Sequence, residues 1–137
     1  MAIRDIEREM DRFFEKVNEQ LHRVDQITGE SFVRNARQID TYKDDTANLR
    51  NSKGFVAKGP VRIVMAFPGG GEGEKEGRRY AERLEKKIAF SGLIALAGMS
   101  YAAAVEAKGY DVITMSWEKA KVDHKALKER VLKRILK

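Results

Sequence analysis

An α+β domain is what this chain predicts, and three observations carry the prediction. Near the N-terminus Ile3, Ile6, Met10, Phe13, Val17, Leu21 and Val24 recur every three or four residues, the period of an amphipathic helix. In mid-chain Val61, Ile63, Met65 and Phe67 alternate strictly, as on a strand with one buried face. Near the C-terminus Leu127, Val131 and Ile135 return to helical spacing behind Asp123, a good N-cap residue with Val122 and Leu127 placed as a hydrophobic staple. The expected architecture is a single domain over residues 1–137, with an antiparallel or mixed β-sheet containing a β-hairpin packed against amphipathic N-terminal and C-terminal helices.

Taken in order, the N-terminal helix is expected to close at Gly29, and its narrow apolar stripe suits packing on the sheet better than a coiled-coil seam. A second helix over residues 31–43 places Phe32, Ala36 and Ile39 on one side. Asp44, Asp45 and Thr46 then crowd three capping side chains ahead of residues 47–50, which predicts a turn and a brief helical piece. Residues 55–57 read as a short strand and 58–60 as a turn into a strand over 61–67, so the two make a hairpin. Residues 69–77, GGGEGEKEG, contain no apolar anchor and predict a mobile loop. A helix over 78–87 places Tyr80 and Leu84 one turn apart, with a charged strand as the rival reading.

The apolar run 88–97 predicts a strand with Ile88, Phe90, Ile94 and Leu96 on one face and Ala89, Ser91, Ala95 and Ala97 on the other. The small-residue face admits close approach by a helix or another subunit. Ser100 as N-cap and Gly109 as C′ residue delimit a two-turn helix over 101–108, with Val105 and Tyr110 placed as the touching pair of a Schellman motif. Residues 110–117 then read as another strand.

Composition narrows the function. With 42% hydrophobic and 35% charged residues the chain is too apolar for disorder and too interrupted for a membrane span, so no membrane partner is expected. The opening MAIRDIEREM is followed by no secretory apolar region. The absence of cysteine removes disulfides, thiolate zinc sites and thiol nucleophiles. Lys and Arg number 27 against 21 Asp and Glu, and residues 118–137 alone hold eight of the first and three of the second. A nonspecific DNA contact or an acidic partner would suit that basic end, through Lys125, Lys128, Arg130, Lys133 and Arg134, and so would plain solvent. Trp117, just before it, is the single aromatic at hand, so base stacking is not indicated.

Chemical motifs are sparse. The glycine-rich segment lacks both the Gly-Lys-Ser/Thr of a phosphate loop and the third glycine of a dinucleotide fingerprint, and Glu72, Glu74 and Glu76 would repel phosphate. The acidic pair Asp44-Asp45 lacks calcium-loop spacing, and His22 and His124 belong to no metal-ligand cluster and read as surface residues. Gly98-Met99-Ser100-Tyr101-Ala102 imitates a nucleophile elbow, but a triad would need Asp111 or Asp123 with His124, and a helix cap explains Ser100 more simply. No catalytic residue, cofactor or metal is expected.

Three passages carry a family resemblance. Asn35-Ala36-Arg37, then Asp45-Thr46-Ala47-Asn48-Leu49-Arg50-Asn51-Ser52, then Tyr101-Ala102-Ala103-Ala104-Val105-Glu106 with Gly109, follow one another with the order and approximate spacing of motifs in the tailed-phage head-to-tail joining and tail-completion proteins. Ala47 stands where that family usually has glycine. The resemblance covers roughly residues 30–115 and implies a structural protein without catalysis, found in the virion neck or tail after assembly in the host cytoplasm. It implies a ring of copies of the chain with other phage neck or tail proteins as partners, and Phe13 and Phe14 are where subunit contacts are expected.

Overall fold

A computed structural model describes residues 2–39, 47–89, 91–99 and 102–136, with the side chain of residue 104 left aside. In chain order the elements are α1 (Ile3–Arg37), α2 (Asn48–Asn51), β1 (Lys53–Lys58), β2 (Ile63–Ala66), α3 (Gly71–Lys87), β3 (Gly92–Ala97), α4 (Ala102–Ala107) and α5 (Thr114–Ile135). The expected α+β class, with a hairpin-bearing antiparallel sheet and helices at both ends, is what the chain forms.

The sheet has the order β2-β1-β3, with both pairings antiparallel. Central β1 is buried on both faces, and its period of two divides the core. Phe55 and Ala57 face α1 and join Phe32, Val33, Ala36 and Ala120, while Val56 faces α3 and joins Phe67, Ala81 and Leu96. Helix α5 lies along α1 and reaches the first of these clusters through Ala120 and Trp117, whose ring meets Phe32 edge-on at 6.3 Å. A third cluster of Leu49, Ala102 and Val112, with Ile39, Ala97 and Val105 against it, joins α2 to the region of α4.

Several expectations give way. Gly29 does not stop the first helix; α1 runs on to Arg37 and absorbs the start of the expected second helix. Gly29 is buried because a Cβ there would stand 2.4 Å from the Phe55 ring. Its sequence signal therefore marked a close helix-strand contact, not a cap. Across the sheet Phe55 is flanked in register by Ala66 and Ala95, so small residues surround the ring on both neighbouring strands. The small-residue face of β3 is thus used by the chain's own α1, with Ala95 in that cluster and Ile94 and Leu96 on the other side.

The expected loop over 69–77 is instead the start of α3. Each interior glycine weakens a helix by about 1 kcal/mol relative to alanine, which is why the segment reads as a loop. Packing decides otherwise. Gly73 and Gly77 are buried where a Cβ would lie 2.3 Å from the Asn48 carbonyl oxygen and 2.6 Å from the Phe67 ring. The charges of the segment form the ladder Lys75–Glu72, Arg78–Glu74 and Arg79–Glu76, each pair adding about 0.2–0.5 kcal/mol. The helix expected over 78–87 is the rest of the same element.

On the hairpin, Val61 and Ile63 do not share the buried face expected of them: Val61 is 95% exposed at the tip and only Met65 and Phe67 reach the core. Strand β3 begins at Gly92, later than expected. Residues 110–113 form a bend in place of the expected strand, and α5 starts at Thr114, so Asp123 lies within a helix, paired with Lys119, and Val122 is exposed instead of stapled. Ser100, Phe90 and the Asp44-Asp45-Thr46 cap lie outside the described residues. Gly109 does adopt a left-handed φ of 91°, and its N–H donates to the Glu106 carbonyl oxygen, but Tyr110 stays exposed and does not close a Schellman contact.

Candidate assembly surface and its supporting framework

The residues that carry the resemblance form a framework. At the end of α1, Asn35 is half-buried, Ala36 is fully buried and Arg37 donates from Nη1 to Asn51 Oδ1 at 3.2 Å. The Ala36 carbonyl oxygen accepts from the buried Lys53 Nζ at 2.6 Å. Ala47 holds a left-handed φ of 59°, so the position where the family has glycine keeps the backbone shape that favours glycine. Asn48 opens α2, Leu49 is buried against Ala102 and Val105, and Arg50 donates to the Ile39 carbonyl oxygen. Asp45, Thr46 and Tyr101 lie outside the described residues.

Glu106 has the most defined role. Its Oε1 accepts from the amides of Val112, Ile113 and Thr114 at 3.0, 2.8 and 3.3 Å, and its Oε2 accepts from Thr114 Oγ1 at 2.9 Å. One carboxylate thereby caps the start of α5 from outside that helix, assisted by Asp111, which accepts from the Met115 amide at 3.2 Å. Burial works against the Glu106 charge, yet donation from Ile113, Thr114 and Val112 outweighs it and holds the carboxyl below its ordinary value. Gly109 provides the turn that brings the chain back to this carboxylate. The sequence showed Glu106 as a motif residue, but the pairing with residues 112–114 depends on a turn geometry that no spacing rule contains.

The framework holds a projecting pair of helices. Over 35 residues α1 is roughly 52 Å long at about 1.5 Å per residue, and none of its described residues before His22 is buried. Its stripe is correspondingly open: Ile3, Ile6, Met10, Phe13 and Phe14 are 75, 47, 51, 42 and 54% exposed. The rings of Phe13 and Phe14 meet edge-on at 6.0 Å. Single exposed apolar residues are ordinary, whereas five along the first four turns of one helix form a contiguous patch.

On α5, Trp117, Ala120, His124, Leu127, Val131 and Ile135 share the inward side at helical spacing. Lys125, Lys128, Arg130, Lys133 and Arg134 are all exposed and, at 100° per residue, are spread over most of the outward circumference instead of forming one basic face. Among the described residues no group of three or more His, Asp or Glu could hold a metal, and no helix is long and apolar enough to cross a membrane.

Both histidines depart from the expected surface placement. His124 Nε2 lies 2.7 Å from Asp25 Oδ1, tying α5 to α1, and Asp25 and His124 side chains are 13 and 30% exposed. His22 is 4% exposed, with neither ring nitrogen hydrogen-bonded among the described residues; a missing partner costs about 1–3 kcal/mol. Gly59 leaves room for the ring, since a Cβ there would stand 2.6 Å from His22 Nδ1. Of the residues weighed as triad partners for Ser100, Asp111 accepts from the Met115 amide, Asp123 pairs with Lys119 and His124 pairs with Asp25.

No protein-family model, curated protein or solved structure matches the chain.

Proposed function

We propose that this chain is a non-enzymatic structural protein of a tailed phage or prophage, acting in head-to-tail joining or tail completion by assembling into a ring with partner virion proteins. The exposed apolar stripe over the first turns of α1 is the observation that carries the reading, because a helix that is amphipathic and unburied has a face built for another chain. The resemblance supplies the class of assembly. Its motif residues are spent on holding α1, α2, α4 and α5 in place, as a scaffold protein requires.

The alternative, a basic nucleic-acid-binding module, draws on the charge of α5, but the spread of its basic side chains around the helix gives DNA no single face to meet. Light scattering over a concentration series, with the full chain alone and with the products of adjacent genes, tests the proposal. Association in at least one condition is expected, and it should be lost in Met10→Asp and Phe14→Asp without a change in melting temperature. A persistent monomer in every mixture refutes it.

A further inference from the structure

A cleft of about 360 Å³ lies between α1, the hairpin turn, the approach to β3 and α5. Its volume is at the small end of the range of ligand sites. Trp117, Leu93 and Pro60 contribute apolar walls, and Lys58, Lys121 and Lys128 contribute cations. Asp25 is the single carboxylate lining it, and that carboxylate is already engaged by His124 Nε2 at 2.7 Å. That contact occupies Nε2 of His124 and one oxygen of Asp25. Lys58 is held by Glu85 at 2.9 Å and Lys121 by Glu118 at 3.0 Å, whereas Lys128 has no carboxylate partner among the described residues. His22 lines the same cleft, almost wholly buried, with neither ring nitrogen paired.

These features complement one ligand chemistry. An imidazole in either protonation state carries at least one N–H that needs an acceptor, and His22 finds none among the described residues. His22 lines the cleft together with Lys128, so a ring N–H turned toward the opening would stand beside the Lys128 ammonium, while Asp25, the one carboxylate lining the cleft, is occupied by His124. The apolar walls exclude a bare inorganic ion as the best fit and favour a body that can lie against an indole. We infer that the cleft between α1 and α5 binds a small organic acid, its carboxylate held by Lys128 and His22 and its apolar or aromatic body packed on Trp117 and Leu93. Nothing in this depends on the assembly reading, since the cleft is built within one copy.

Trp117 is the only tryptophan in the chain and lines the cleft, so its emission responds to a ligand packed there. The full chain is titrated with 3-phenylpropionate and, separately, with the uncharged 3-phenylpropanamide. A saturable change with the acid, weaker by about tenfold or more with the amide, is expected from the loss of a charge-assisted hydrogen bond. Lys128→Ala, an exposed change that leaves the core intact, should weaken the acid by roughly three- to tenfold, and His22→Gln, checked for folding by circular dichroism, should do likewise. The inference is overturned by no saturable response to the acid, by equal responses to acid and amide, or by unchanged affinity in Lys128→Ala.

Discussion

Removing the Glu106 carboxylate should loosen the start of α5 by an amount that can be worked out from its bonds. Glu106→Ala deletes three amide contacts and one hydroxyl contact. Thr114 is exposed, so water replaces its two bonds at little cost. Val112 is fully buried, and its amide would be left unpaired at about 1–3 kcal/mol. Loss of a cap adds about 0.5–2 kcal/mol, part of which is that same bond, so a total near 2.5 kcal/mol is expected. For a chain of this size that corresponds to a melting temperature lower by roughly 10 °C.

Glu106→Gln keeps an acceptor oxygen and loses only the charge, so about 1 kcal/mol and roughly 4 °C are expected. The pH dependence follows from the lowered folded-state value. The unfolded chain takes up the proton first as pH falls, so the contribution is present above the ordinary carboxylate range and disappears as pH passes down through the folded value. Thermal melts followed by helical ellipticity at about pH 7 and about pH 3 would read both effects. The reasoning fails if Glu106→Ala melts within about 2 °C of the parent at neutral pH, or if the gap between parent and Glu106→Gln does not narrow in acid.

Gly29→Ala should destabilise by about 2 kcal/mol, because the Phe55 ring 2.4 Å from the new Cβ is itself buried and hemmed by neighbouring strands; urea unfolding would measure it. Gly77→Ala, against Phe67, should lose a similar amount, although on helix propensity alone alanine would gain about 1 kcal/mol, so the sign of the change in urea midpoint separates packing from propensity. Asp25→Ala should cost more than the about 0.2–1 kcal/mol of an exposed pair, since it leaves His124 half-buried without its partner; a double-mutant cycle with His124→Ala would isolate the coupling.

Local sequence determined the elements whose signals were local. The stripe Ile3 to Val24, the alternation at Met65 and Phe67, the left-handed turn at Gly109 and the parity of Ile94 and Leu96 against Ala95 all follow from periods of 3.6 and 2 and from glycine's tolerance of positive φ. The α+β class came with them. Packing decided what those signals could not. Gly29, Gly73 and Gly77 looked like interruptions because isolated helices are weakened by glycine, yet each sits where a neighbouring element approaches too closely for a side chain. Residues 110–117 read as a strand, but Glu106 takes the amides of Val112, Ile113 and Thr114, and the chain bends there into α5. The pairing of His124 with Asp25 across 99 positions, and the cleft that His22 shares with Trp117, exist only once α5 lies along α1, since no one-dimensional spacing encodes which faces of two distant helices meet.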